Sequence, residues 1–297
     1  MTDHDRMPAR GAQSSEATLL QTLTRGLDVL ELVATSNGQA TAKMIASTIG
    51  LRSSTCYHLL RTLKQAGYVV RVEGGTYDVG PRAGALGHHL DTRFGPSPEI
   101  SALLSRLHNK TRETAYVCGW YHGSIVMQQF IGGTHPLVVK QLEVGYSGNM
   151  HARASCKSVL AHLPEDIVAA MFSGVELAAL TPKTTTSYPA LVAQLVEVRG
   201  RGYAIDDEEF HEGVCCVSSA FFDAQNNPVG SFTVSVPSNR SESLFSSVAA
   251  EVHEAASLAT TMLRSGRLVV NEQATPASRE RGWRPRQTPS MRLVDPS

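Results

Sequence analysis

The sequence predicts an α+β protein in two parts: an N-terminal winged helix-turn-helix and a larger domain around a central antiparallel sheet. Three observations carry that prediction. Helix, helix, tight turn, helix and β-hairpin follow one another in about sixty residues. Strand-like and helix-like stretches then mix along the rest of the chain. Charge is unevenly placed along a chain whose formal net charge is zero.

The first part builds up in order. Leu20, Leu23, Leu27, Leu30 and then Val33 or Ala34 recur every three or four residues, the spacing of a helical face. Asn37-Gly38 stops that helix. Thr41 can cap a second helix carrying Met44, Ile45 and Ile49, which Gly50 ends. After a short turn, Ser53 or Ser54 caps a third helix with Cys56, Leu59, Leu60 and Leu63 inward, closed by Gly67. Tyr68–Val72 reads as a strand, Glu73-Gly74-Gly75 as a tight turn and Thr76–Val79 as the return strand. Residues 18–80 form this domain; residues 1–17, polar and charged, are expected to be disordered.

Residues 81–97 read as a linker, mostly a helix from Gly80 to Arg93 with Leu86 and Leu90 on one face. Phe94-Gly95-Pro96-Ser97-Pro98 breaks it. The second domain, 98–264, opens with a helix at Glu99–Thr111, followed by strands at Ala115–Trp120, Ser124–Ile131 and Leu137–Leu142. Helices at Ser155–Leu163, Glu165–Phe172 and Tyr188–Arg201 come next. Strands at Tyr203–Ile205, Val214–Phe222 and Val229–Val236 precede a long closing helix, Ser241–Leu263. The tail 265–297, rich in Pro and Arg, is expected to be basic and disordered.

Composition narrows the function. An apolar fraction of 42% and a charged fraction of 18% are those of a soluble globular protein. The apolar run Ile167–Phe172 is far short of the ~20 residues of a membrane span, and residues 1–17 lack the apolar core of a signal peptide. A cytoplasmic protein with no membrane partner is expected. The five cysteines (Cys56, Cys118, Cys156, Cys215, Cys216) include no CxxC pair and read as free thiols. Cys215 and Cys216 point to opposite sides of a strand, a poor metal clamp. Residues 18–93 hold eight Lys/Arg against five Asp/Glu, residues 94–263 ten against sixteen, and residues 264–297 seven against three. A basic module on an acidic body suits a DNA-binding part joined to one that does not touch DNA.

The third helix has the chemistry for that role. Ser54, His58 and Arg61 form a stripe opposite the apolar one, bordered by Thr55, Tyr57 and Thr62. Hydroxyl, imidazole, phenol and guanidinium can meet phosphates or base edges, and Arg61 can grip either bidentately. No acidic residue lies between Arg52 and Gly67 to repel phosphate. A solvent-facing helix is polar in any protein; the preceding helix, the turn and the wing favour DNA. The candidate contacts with double-stranded operator DNA are Thr41, Arg52, Ser53, Ser54, Thr55, Tyr57, His58 and Arg61.

Two segments, in this order, resemble the IclR (isocitrate lyase regulator) family of bacterial transcription regulators. One is TRGLDVLELVATSNGQATAKMIASTIGLRSSTCYHLLRTLKQAGYVVRVEGGTYDVG, from Thr24. The other, more distinctive, is RGYAIDDEEFHEGVCCVSSAFFDAQNNPVGSFTVSVP, Arg201 to Pro237, where Gly-Tyr leads into an acidic cluster, a glycine, a cysteine and two strands. The resemblance spans about Leu19 to Leu263. It implies a winged-helix domain, a dimerising linker helix and a C-terminal GAF/PAS-like effector domain. It also implies DNA binding as a homodimer or dimer of dimers, controlled by small organic acids or aromatic metabolites. By motif, the effector site falls on Ala154, Ser155 and Cys156 in MHARASCKSVLA, on Asp206, on Cys216, and on Thr233 and Ser235 of the last strand. Two positions depart from the family: Cys156 stands where glycine is common, and Cys215 where a basic or polar residue is usual. The first narrows a loop where a carboxylate would meet N–H groups at a helix N-terminus, so a ligand larger, differently charged or differently seated than the small keto acids of the best-known members is expected.

Two rival readings are weaker. A zinc site, structural or hydrolytic, has ligand types in His151, Cys156, His211, Cys215, Cys216 and the acids Asp206–Glu209, but no recognised spacing. A cysteine hydrolase would pair Cys156 with His151, yet no third orienting group can be named. The expectation is a regulator rather than an enzyme, without cofactor or metal.

Overall fold

A computed structural model describes residues 20–121, 123–133 and 143–268. The expected disordered segment 1–17, nearly all of the tail 265–297 and the strand expected at Leu137–Leu142 lie outside the described residues. The chain divides into two compact units, Met1–Thr92 and Arg93–Ser297.

The first unit holds α1 (Gln21–Thr35), β1 (Ala40–Thr41), α2 (Ala42–Thr48), α3 (Ser53–Gln65), β2 (Val69–Arg71) and β3 (Thr76–Val79); α4 (Pro81–Phe94) then carries the chain into the second unit. Cys56, Leu59 and Leu60 sit at i, i+3 and i+4 of α3, so one face of that helix closes on Val29, Leu32 and Val33 of α1 and Ile45 of α2. Val69 and Tyr77 of the wing complete the core. The wing strands are antiparallel in the order β1-β3-β2. Gly80 ends the wing where an added Cβ would lie 2.3 Å from the Gly67 carbonyl oxygen, so only glycine allows the approach.

Three local expectations change here. The two-residue strand β1, too short for any periodicity to betray, pairs Ala40 with Tyr77 and Thr41 with Thr76. Neither Ser53 nor Ser54 caps α3: Arg52 occupies the N-cap position and its side chain makes no cap bond. The expected leucine stripe faces the core only in its second half, where Leu30 packs against it and Val33 lies within it. Leu20, Leu23 and Leu27 are exposed at 74%, 63% and 52%, because α1 packs through Val29, Leu32 and Val33. Leu86 and Leu90 of α4 are exposed as well.

The second unit holds α5 (Pro98–Thr111), β4 (Thr114–Tyr121), β5 (Ser124–Ile131), α6 (Ala154–Leu160), α7 (Glu165–Phe172), α8 (Tyr188–Arg201), β6 (Ala204–Asp207), β7 (Val214–Phe222), β8 (Pro228–Pro237) and α9 (Ser238–Arg264). The five strands form an antiparallel sheet in the order β5-β4-β8-β7-β6. Alternation along the strands gives two cores. Val117, Cys215, Val217, Phe232 and Val234 face α5 and α9. Tyr116, Cys118, Trp120, Cys216 and Ala220 face α6, α7 and α8. Gly202, at φ +83°, takes the left-handed turn that ends α8 and starts β6. Among the described residues no helix is long and apolar enough to cross a membrane.

Candidate functional site

The first candidate site is the outer face of α3. Ser53, Ser54, Tyr57, His58 and Arg61 are all exposed, as are Arg52 before the helix and Thr41 before α2. Thr55 differs: it is half-buried. Without a capping duty, the hydroxyls of Ser53 and Ser54 are available at the N-terminal turn. Thr41 is partly engaged, its hydroxyl accepting the Met44 N–H at 3.2 Å. The Arg61 guanidinium donates to His58 Nδ1 at 3.2 Å, so the two form one donor surface in the turn that follows Tyr57. Arg71, on the exposed edge of the wing, adds a cation that helix-face reasoning passed over.

The second candidate site lies inside the other unit, on the α6 side of the sheet. Strand register places Asp206 beside Cys216, Cys216 beside Ser235, and Thr233 beside Tyr116 and Ser218. Asp206, Cys216, Thr233 and Ser235 are all buried, as are Ala154, Ser155 and Cys156 where α6 begins. The seven residues matched by motif therefore share one interior layer. Buried polar groups are costly unless bonded, and here most are. Thr233 Oγ1 donates to Ser218 Oγ at 2.9 Å, Ser218 donates to the Phe232 carbonyl at 3.0 Å, and Ser158 Oγ lies 3.0 Å from Ser218 Oγ. Ser231 donates to the Ser155 carbonyl at 2.9 Å, tying α6 to β8. Ser235 Oγ and Cys216 Sγ are 3.2 Å apart. Thr233 thus uses its proton within the wall, while among the described residues the Ser235 hydroxyl has only the Cys216 thiol as partner.

Ionisable groups surround this layer. Asp206 Oδ1 accepts the N–H of Glu209 at 2.7 Å and of Phe210 at 3.2 Å. Burial nevertheless pushes its carboxyl up to about 7, against the Lys157 ammonium and those two N–H groups. Lys157 is itself buried and paired with Glu209. Arg153, which the motif comparison did not single out, sits at the N-cap of α6 and is 2% exposed. Helix α6 has only seven residues, a short dipole, so the positive charge at this end comes chiefly from Arg153 rather than from free N–H groups. The one signal for it in sequence was a lone cation between two small residues, Ala152 and Ala154.

The rival chemistries do not assemble. The His151 ring bonds the Ala178 carbonyl through Nε2 at 3.0 Å, and the Cys156 thiol's neighbour is Ser155 Oγ at 4.0 Å. Burial holds Cys156 up at about 11, far from a nucleophilic thiolate. Among the described residues no three of His, Cys, Asp and Glu converge on a point that could hold a metal.

Comparison with known proteins assigns a family domain to each of the two units. Residues 22–73 match the IclR helix-turn-helix domain, and residues 98–260 match the bacterial transcriptional regulator IclR C-terminal domain. The transcriptional repressor IclR of Escherichia coli K12 is 32% identical over 240 residues, 78% of this chain and 87% of that protein. The regulator BhcR of Paracoccus denitrificans is 32% identical over 251 residues, 84% of this chain and 89% of its own. The crystal structure of the Thermotoga maritima IclR superposes with a TM-score of 0.67 at 25% identity, over 83% of this chain and 100% of that one. An IclR homolog from Microbacterium hydrocarbonoxydans, crystallised with 4-hydroxybenzoate, shares the fold at a TM-score of 0.64 and 19% identity, over 82% and 99% of the two chains. These relatives are transcription regulators, not enzymes, and the chain belongs to the IclR family, with its DNA-binding helix-turn-helix and its C-terminal regulatory domain.

Proposed function

We propose that this regulator's grip on operator DNA is set by a small organic acid held between the start of α6 and the sheet. The supporting observation is the buried layer of Asp206, Cys216, Thr233 and Ser235 facing Ala154–Cys156. Packing needs no such row: apolar side chains fill the opposite face of the same strands. Asp206 shapes the ligand. A second carboxylate would repel it, whereas a ligand hydroxyl could donate to it. A hydroxylated or aromatic monocarboxylate satisfies the layer better than a simple dicarboxylate, and 4-hydroxybenzoate, bound by the Microbacterium homolog, has that chemistry.

DNA is met by α3, through Arg52, Ser53, Ser54, Tyr57, His58 and Arg61, with Thr41 and Thr55 at the margin. The protein acts in the cytoplasm as a homodimer or a dimer of dimers. The exposed leucines of α1 and α4 are the surface that a second copy covers, since a single recognition helix buries little area. Ligand occupancy reaches the DNA through α4.

The experiment uses an operator selected from a randomised duplex pool and a titration of carboxylates against the complex. The reading predicts that one acid changes DNA affinity, and that Thr233→Val with Ser235→Ala raises the acid concentration required. An unchanged concentration in the double variant places the effector elsewhere.

A further inference from the structure

Two buried cations stand four residues apart at the start of α6, and they are treated differently. Lys157 has a counter-ion in Glu209. Arg153 has none among the described residues. Its Nη1 donates to the Gly148 carbonyl at 3.0 Å, and its Nη2 to Ser155 Oγ at 3.3 Å and Cys118 Sγ at 3.7 Å. The Tyr146 ring lies 4.9 Å from the guanidinium carbon. Every one of these partners is neutral: burial pushes the thiols of Cys118 and Cys156 and the phenols of Tyr116 and Tyr146 upward, so none is an anion near pH 7. Asp206, the carboxyl of the layer, points its Oδ1 at backbone N–H groups. Among the described residues Arg153 donates through Nη1 and Nη2 and makes no hydrogen bond through Nε. An interior guanidinium without a counter-charge is expensive, and a planar fork with free donors is the shape that receives a carboxylate.

We infer that Arg153 is the carboxylate anchor of the effector site, its missing counter-ion being the acid group of the ligand. This deepens the effector reading above and rests on it. The anchor gives the ligand a direction. Its acid end lies at Arg153 and Ser155, near Cys118. Its other end runs along the row toward Ser235, Cys216 and Asp206, where a hydroxyl finds an acceptor. A neutral amide of the same shape lacks the charge that Arg153 requires.

The test uses the full-length protein, thermal unfolding and calorimetry, with formate, benzoate, 4-hydroxybenzoate and 4-hydroxybenzamide as probes. Formate is included because it is small enough to reach any open guanidinium. The three carboxylates should raise the midpoint of the wild-type protein and the amide should not. Arg153→Met, which removes an uncompensated charge, should be at least as stable as wild type without ligand and should bind 4-hydroxybenzoate at least ~30-fold more weakly. Arg153→Lys keeps the charge without the fork; it should fold like wild type and lose ~10-fold. Equal binding by wild type and Arg153→Lys overturns the fork. Destabilised Arg153→Met with undiminished carboxylate binding makes the residue structural and overturns the anchor. So does a wild type that no carboxylate, formate included, stabilises. Binding lost in Thr233→Val/Ser235→Ala but kept in Arg153→Met would leave the effector site standing and sink the anchor alone. The reverse would keep the anchor and sink the strand assignment.

Discussion

At the residue scale, the regulatory unit is organised around charges that water does not reach. Asp206 is the clearest case. Its carboxyl titrates near 7 in the fold against 3.8 for a free side chain. A folded value raised above the unfolded one means the carboxyl's contribution to stability is fully present below about pH 4 and is lost as the pH climbs toward about 7. Asp206→Asn keeps an acceptor for the Glu209 and Phe210 N–H groups and removes the charge. Its midpoint should therefore exceed that of wild type by more at about pH 8 than at about pH 4, and an equal difference at both pH values would contradict this. The cysteines lead to a second prediction. All five are buried, and Cys156 is held protonated. Ellman's reagent should find less than one thiol per native chain and all five after denaturation; rapid native labelling of Cys156 would revive the nucleophile reading.

At the scale of elements, much was legible in the sequence because much of it is periodic. Cys56, Leu59 and Leu60 on α3, and the alternation Phe232, Thr233, Val234, Ser235 on β8, each state a face and a period. What escaped had no period to show. The strand β1 is two residues long and is defined by its pairing with Tyr77 and Thr76 of β3. Serine is the usual helix cap and two serines stand at the start of α3, yet Arg52 holds the position. Arg153, a lone cation between alanines, has the sequence context of a surface residue, and only the fold buries it. The α3 face carries its own prediction. Arg61→Ala should weaken operator binding by ~1–3 kcal/mol if it reads a base, and should weaken all sequences alike, with a shallower salt dependence, if it holds phosphate. Binding unchanged in Arg61→Ala/Arg52→Ala, measured by fluorescence anisotropy, removes α3 from the interface.

At the scale of the whole molecule, the exposed stripes matter most. Leu20 at the N-cap of α1, Leu23 and Leu27 on it, and Leu86 and Leu90 of α4 are all exposed, and exposed apolar stripes are surfaces that a partner can cover. A second copy covering them would set two α3 helices against symmetric half-sites, ~10–10.5 bp apart or a multiple of that. Leu86→Glu with Leu90→Glu should shift the protein toward monomer in sedimentation and weaken operator binding. A variant that stays dimeric at micromolar concentration would place the interface elsewhere. Such a dimer could carry news of ligand binding from one unit to the other, a coupling typically worth ~1–3 kcal/mol.

Control of DNA binding by an acid in the sheet-facing layer is tested most directly by paired titrations with the carboxylate that stabilises the protein most. Operator affinity is measured with and without the acid, and acid affinity with and without operator. Both ratios should be equal and differ from one by ~5–150-fold, as linkage between two sites on one molecule demands. Two ratios of one, with the acid demonstrably bound, would contradict effector control.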